Sequence, residues 1–215
     1  MKKYKFTGET KTIYLPFGTV TLHRIKAVVE FGLVKVGDLG GWIEKEENLS
    51  HEENAWVYGD AEVCGNAKVY GNAKVCGNAK VYGDAEVYGN AWVCGNAEVR
   101  GNAKVYGDAE VYGDAKVYGD AEVRGNAWVC GNAKVFSTDH VLVIGAIGSR
   151  NDFTTFFRDK DNEITVKCGC FLGKIDKFLE KVTQTHKDTK HTLAYRTAVE
   201  VAKLQIDLTE KSTRR

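Results

Sequence analysis

The sequence predicts a mainly β protein organised on a three-sided parallel β-helix. Two observations predict it: a six-residue repeat, and a charge pattern that closes on itself at every third repeat. From Asn54 to Val135 the chain repeats Gly-Asn/Asp-Ala-x-Val-x, with Val at every sixth position from Val57 to Val135, Ala from Ala55 to Ala133 and Gly from Gly59 to Gly131. A fixed short period with two small apolar positions is the mark of a β-helix.

The unit dictates its own geometry. In Ala-x-Val-x the side chains alternate, so Ala and Val share the inner face and the two x residues the outer one. Gly then turns the corner at positive φ without steric cost, and Asn or Asp tolerates the same turn. Buried Val stabilises each rung by at most about 1.5–3 kcal/mol. Charge decides how many units make a coil. At a separation of 18 residues, Glu62/Lys80, Lys68/Glu86, Lys80/Glu98, Glu86/Lys104, Glu98/Lys116 and Lys104/Glu122 are opposite in sign, and only Lys116/Lys134 is like on like. A separation of 12 stacks Lys68 on Lys80 and Glu86 on Glu98, and one of 24 stacks Glu62 on Glu86. Neighbouring strands favour opposite charges, so three units close a coil. No corner Asp stands 18 residues from another Asp. The repeat then fills under five coils, about 20–25 Å of rod.

The three outer walls differ. The first carries Trp56/Tyr58, Lys74/Cys76, Trp92/Cys94, Glu110/Tyr112 and Trp128/Cys130. The others carry charge ladders beside tyrosines, with Arg100 between Tyr82 and Tyr118 as an expected cation–π stack. An aromatic wall of this kind is seldom left to water. Trp56, Trp92, Trp128, Tyr58 and Tyr112 therefore read as a packing or partner surface. Three covers are open: the chain's own C-terminal helices, a second subunit, or another protein anchored on the indoles.

The hexapeptide pattern resembles the left-handed parallel β-helix family that includes the hexapeptide acyltransferases, and a left-handed coil is what that resemblance implies. Residues 1–50 read as an N-terminal β cap over the open first coil, with strands at Tyr4–Phe6, Lys11–Leu15 and Thr19–Val29 and the only proline at Pro16. Leu22-His23-Arg24-Ile25-Lys26-Ala27-Val28, Gly40-Gly41-Trp42-Ile43 and Asn48-Leu49-Ser50 are similar to the leading segment of the YdcK family of bacterial β-helix proteins. They also resemble small phage and mobile-element proteins labelled transferase-like or polymer-forming. Residues 51–137 are the β-helix. Residues 138–215 read as a small α+β domain. Strands Val141–Ile144, Phe153–Arg158 and Glu163–Cys170 precede helices around Ile175–Val182 and His191–Leu204, and the tail from Thr209 is expected to be loose. The segment Gly148–Arg158 with Cys168-Gly169-Cys170-Phe171 and Thr185-His186 resembles a small domain that follows such repeats in phage proteins.

Composition bounds the partners. The 215 residues carry a net charge of +1 with no basic stripe, which argues against nucleic acid. No apolar run is long enough to span a membrane, and the first residues hold no apolar signal region, so a cytoplasmic protein is expected. All six cysteines are then expected as thiols. That includes Cys76 and Cys94, which stack one coil apart near disulfide reach.

Candidate chemistry is sparse. Acyl transfer on the resembling family implies a coil-edge His and a loop extruded from the rod. Residues 54–135 contain neither, and His23, His51, His140, His186 and His191 all lie outside. Cys168 and Cys170 with His186 and His191 have zinc-type residues. Yet Ile164, Val166, Cys168 and Cys170 alternate on one strand face, so both thiols read as core and no metal is expected. Gly169–Lys174 is too short for a phosphate loop and has Ile175 where Ser or Thr belongs. Gly145–Arg150 is Gly-rich, but a strand follows it rather than a helix N-terminus. Ser149, Arg150, Asp152, Thr155 and Arg158 form the densest polar group, read as hairpin surface or as a ligand site. The reading is a non-catalytic scaffold without cofactor that binds a protein partner or itself, of the kind a phage or mobile-element accessory factor would be. The alternatives are a small enzyme or nucleotide/anion binder using the C-terminal domain, and a hexapeptide acyltransferase.

Overall fold

The computed structural model describes residues 1–15 and 18–209. Pro16 and the tail beyond Thr209 lie outside the described residues. Strands β1 (Tyr4–Leu15) and β2 (Gly18–Ala27) form an antiparallel hairpin, and β3 (Leu39–Ile43) pairs antiparallel with β2. β3 also pairs parallel with the Glu62–Val63 rung, Trp42 opposite Glu62 and Ile43 opposite Val63. The parallel ladder thus reaches back into the segment read as cap. Gly40 and Gly41 explain how: a Cβ on Gly41 would stand 2.7 Å from the Ala61 carbonyl oxygen, so only glycine lets the chain close against the first coil.

The rod has the predicted three walls. One continues the cap hairpin into rungs at Glu62, Lys80, Glu98, Lys116 and Lys134; the second stacks Trp56, Lys74, Trp92, Glu110 and Trp128; the third stacks Lys68, Glu86, Lys104 and Glu122. Between rungs of the repeat every register step is 18 residues, including the like-charged Lys116/Lys134 pair. Ala and Val of each rung are buried in one continuous core. The corner at Gly107 has φ +74°, and a Cβ there would approach the Gly125 nitrogen to 2.9 Å. Glycine is required at such a corner both for its conformation and for the close stacking. On the third wall Tyr70, Tyr88 and Tyr106 stack at 4.8 and 4.9 Å; on the wall that continues the cap hairpin, Arg100 lies 4.7 Å from the Tyr118 ring centre.

Both rod ends are plugged. At the first, Lys3 is buried and its ammonium donates to the carbonyls of Glu52, Glu53 and Ala55, while Tyr4 donates to the carbonyls of Glu46 and Leu49. At the far end stands a four-stranded antiparallel sheet: Val141–Ile147, Asp152–Arg158, Ile164–Cys168 and Phe171–Lys174. Phe157 packs into the rod core with Val141 and Val143 against it, while Phe156 and Val166 pack under helices α1 (Ile175–His186) and α2 (Lys190–Gln205). One face of the sheet closes the rod and the other carries the helices. The fourth strand was not expected: Gly169 turns at φ +53° and ends the Ile164–Cys168 strand early. Cys170 is consequently exposed rather than core.

One cysteine expectation is overturned. Cys76 and Cys94 form a disulfide, their Cα atoms 4.6 Å apart. The register sets two outward cysteines on adjacent rungs of one wall, and that spacing lies within disulfide reach whatever the chain's surroundings. Cys64, Cys130, Cys168 and Cys170 are free.

Candidate functional site

Two regions gather the candidate side chains. The first is the tryptophan wall. Its three indoles share one sheet as the repeat requires, but their surroundings differ. Trp56 is 1% exposed, packed at its edge by Phe31 and Tyr4 of the cap and by Tyr58. Trp92 and Trp128 are 46% and 36% exposed, and lie two coils apart on the same wall. Lys74 sits 4.7 Å from the Trp92 ring centre and Lys167 4.6 Å from that of Trp128. The C-terminal helices do not cover this wall, because they occupy the far face of the C-terminal sheet. Instead the wall is a saddle. The cap loop rises at one end, where Leu33 is 84% exposed beside a hollow lined by Val34, Tyr58, Asn90 and Trp92. The C-terminal sheet rises at the other, where Phe153 and Lys167 flank Trp128. Between them Tyr112 is partly buried; burial and its hydrogen bond to Cys130 push its phenol up.

The second region is a cleft of about 280 Å³ between the C-terminal sheet and the helices. Ser149, Arg150 and Asp152 of the sequence's polar group line it. Thr155 and Arg158 do not. The Thr155 hydroxyl accepts from the Trp128 backbone N–H at 3.0 Å, tying the sheet to the rod. Arg158 is buried over the Phe136 ring at 4.5 Å and donates to Asn162. Strand alternation turns Thr155 toward the rod, and the Phe136 ring at the rod end holds Arg158, at the other end of the strand from Asp152. Sequence reasoning missed Phe171, Phe178, Lys181 and Tyr195 in the lining. The available signal was the pair of glycine turns. A Cβ on Gly148, at φ +77°, would fall 1.9 Å from the Tyr195 hydroxyl, so this glycine is the space that Tyr195 uses.

The zinc-type residues only partly converge. Cys168 accepts from the Thr154 hydroxyl at 3.3 Å and contacts the Tyr195 hydroxyl at 3.7 Å. His186 and His191 have ring centres 5.7 Å apart. Among the described residues, no group of three or more His, Cys, Asp and Glu side chains is arranged to hold a metal ion. Gly169–Lys174 forms a turn and a strand, and Lys174 pairs with Asp159 and Glu163. Burial alone would raise the Asp159 carboxyl. Hydrogen bonds from Lys174, Thr165 and two backbone N–H groups overcome this and hold it below the usual carboxylate range. Among the described residues no helix is long and apolar enough to cross a membrane.

Fold and repeat together define a hexapeptide-repeat parallel β-helix protein. The chain is similar to the "Uncharacterized acetyltransferase YdcK" of Escherichia coli (strain K12), 39% identical over 62 residues, which are 27% of this chain and 19% of that protein. The match thus spans about a fifth of that relative's length. No protein-family model matches the chain.

Proposed function

We propose that the chain is a binding scaffold whose tryptophan wall holds a protein partner. The observation that carries this reading is the pair of exposed indoles, Trp92 and Trp128, on a rigid wall between two raised ends. Rigid aromatic anchors flanked by cations suit protein docking, because their burial contributes much while ordering costs little. The rod supports the same reading: residues 54–135 contain no histidine and no inserted loop. The partner is a protein of another kind or a second copy of this chain.

A photo-crosslinking side chain at Tyr112 tests it, in the full chain and in a Trp92→Ser, Trp128→Ser variant. Capture of one defined species, lost in the double variant, is the expected result. Equal capture by both proteins, or none by either, overturns the reading. Acyl transfer is the second reading, and the relative's designation as an acetyltransferase favours it. It requires a general base that the repeat does not supply, so transfer of an acyl group from acyl-CoA by the purified chain would displace the scaffold reading.

A further inference from the structure

The C-terminal cleft has the chemistry of a small-molecule site. Two tight turns build one end of it. Residues 148–151 turn the chain between Ile147 and Asp152, and the Arg150 Nη1 atom lies 3.3 Å from where a Gly169 Cβ would stand, against the second turn. Helix α1 supplies the opposite rim with Lys181 and His186, and its His186 ring stacks on Tyr195 at 5.9 Å. Phe171 and Phe178, with ring centres 5.3 Å apart, form the floor, and Tyr195 meets Phe178 edge-on at 5.4 Å. The rim is cationic. Arg150 and Lys181 face the cleft with Asp152 as the one carboxylate in the lining, and the Asp152 Oδ1 atom already accepts from the Phe153 N–H. Among the described residues no carboxylate stands at ion-pair distance from Arg150 or Lys181.

We propose that this cleft binds a small molecule with a planar aromatic body and one anionic group, a carboxylate or a phosphate. Arg150 and Lys181 hold the anion, with charge-assisted hydrogen bonds from the guanidinium. The ring lies against Phe171 and Phe178, where offset or edge-on contact is favourable. At about 280 Å³ the space is at the small end for ligand pockets, which sets a ligand of one or two rings. The site is separate from the tryptophan wall, so its test neither depends on the scaffold reading nor decides it.

Ligand-observed NMR on the full chain, with phenylphosphate, benzoate, phenol, benzylamine and inorganic phosphate, tests the assignment. Saturable binding of phenylphosphate or benzoate is expected, with phenol, benzylamine and inorganic phosphate each at least about tenfold weaker. Arg150→Ala, in an exposed turn, lowers affinity for the anionic aromatics about tenfold or more while leaving the melting temperature in place. Thr185→Trp, at an exposed lining position, blocks the mouth and abolishes binding. No saturable binding of either anionic aromatic overturns the proposal. So does equal binding of phenol or inorganic phosphate, or unchanged affinity in both variants.

Discussion

At the scale of single residues, the corners carry a rule of their own. Asn54 donates its amide to Asn72, Asn72 to Asn90, and Asn90 to Asp108, at 2.9, 3.1 and 2.9 Å. Asn78, Asn96 and Asp114 repeat this, as do Asn66 with Asp84 and Asn102 with Asp120. Each of these amides donates toward the C-terminus, and each of these runs ends on a carboxylate, which only accepts. This is the physical content of a sequence in which no Asp is stacked on another. Asn90→Asp removes one donor and sets a carboxylate against Asp108. The expected cost is about 1 kcal/mol near neutral pH, relieved below about pH 3.5 where carboxylates protonate. Urea unfolding at the two pH values measures it, and an equal loss at both would mean that charge is not the cause.

At the scale of elements, the rungs were legible and the docked ends were not. Rung register is local information repeated many times, so alternating charge alone selected the 18-residue step seen in the pairing of Glu98 with Lys80 and Lys116. Burial of Trp56 depends instead on Phe31 and Tyr4, which arrive from far along the chain and leave no periodic trace. The candidate ligand group divided for a similar reason. Ser149, Arg150 and Asp152 belong to a turn, whereas Thr155 and Arg158 are claimed by the rod end. The Cys76–Cys94 bridge follows from the spacing of adjacent rungs, which compartment arguments do not touch. Its loop of 18 residues predicts a contribution of up to about 3 kcal/mol. Reductant, or Cys76→Ser with Cys94→Ser, should lower the unfolding midpoint, and the two cysteines should resist alkylation in the native protein until reduced. Rapid alkylation without reductant would refute the bridge.

At the scale of the whole molecule, titration at alkaline pH should work in two opposed directions. Burial lowers the Lys3 ammonium from 10.5 to about 8, so the fold releases that proton before the unfolded chain does. Stability therefore rises with pH between those two values. Burial raises the phenols of Tyr4, Tyr70, Tyr112 and Tyr195, whose unfolded value is 10.0. Their contribution is whole below that value and is lost as the pH climbs past it, because the unfolded chain ionises first. The melting temperature should hold or rise from about pH 8 and fall beyond about pH 10, with tyrosinate absorbance appearing together with unfolding. Lys3→Met should remove the first effect and spare the second. A flat profile across the range would show that neither end plug nor tyrosine ladder is coupled to folding.

The 18-residue step also quantises the length of the rod. Inserting a single hexapeptide would carry every later residue to the next wall, part Trp128 from Trp92, and swing the C-terminal module a third of a turn about the axis. Inserting three would leave every wall intact and advance the module by about 4.8 Å. Variants of this chain can lengthen only by complete coils if the indoles and the cleft are to keep their bearing on one another, which makes the repeat a ruler as well as a support.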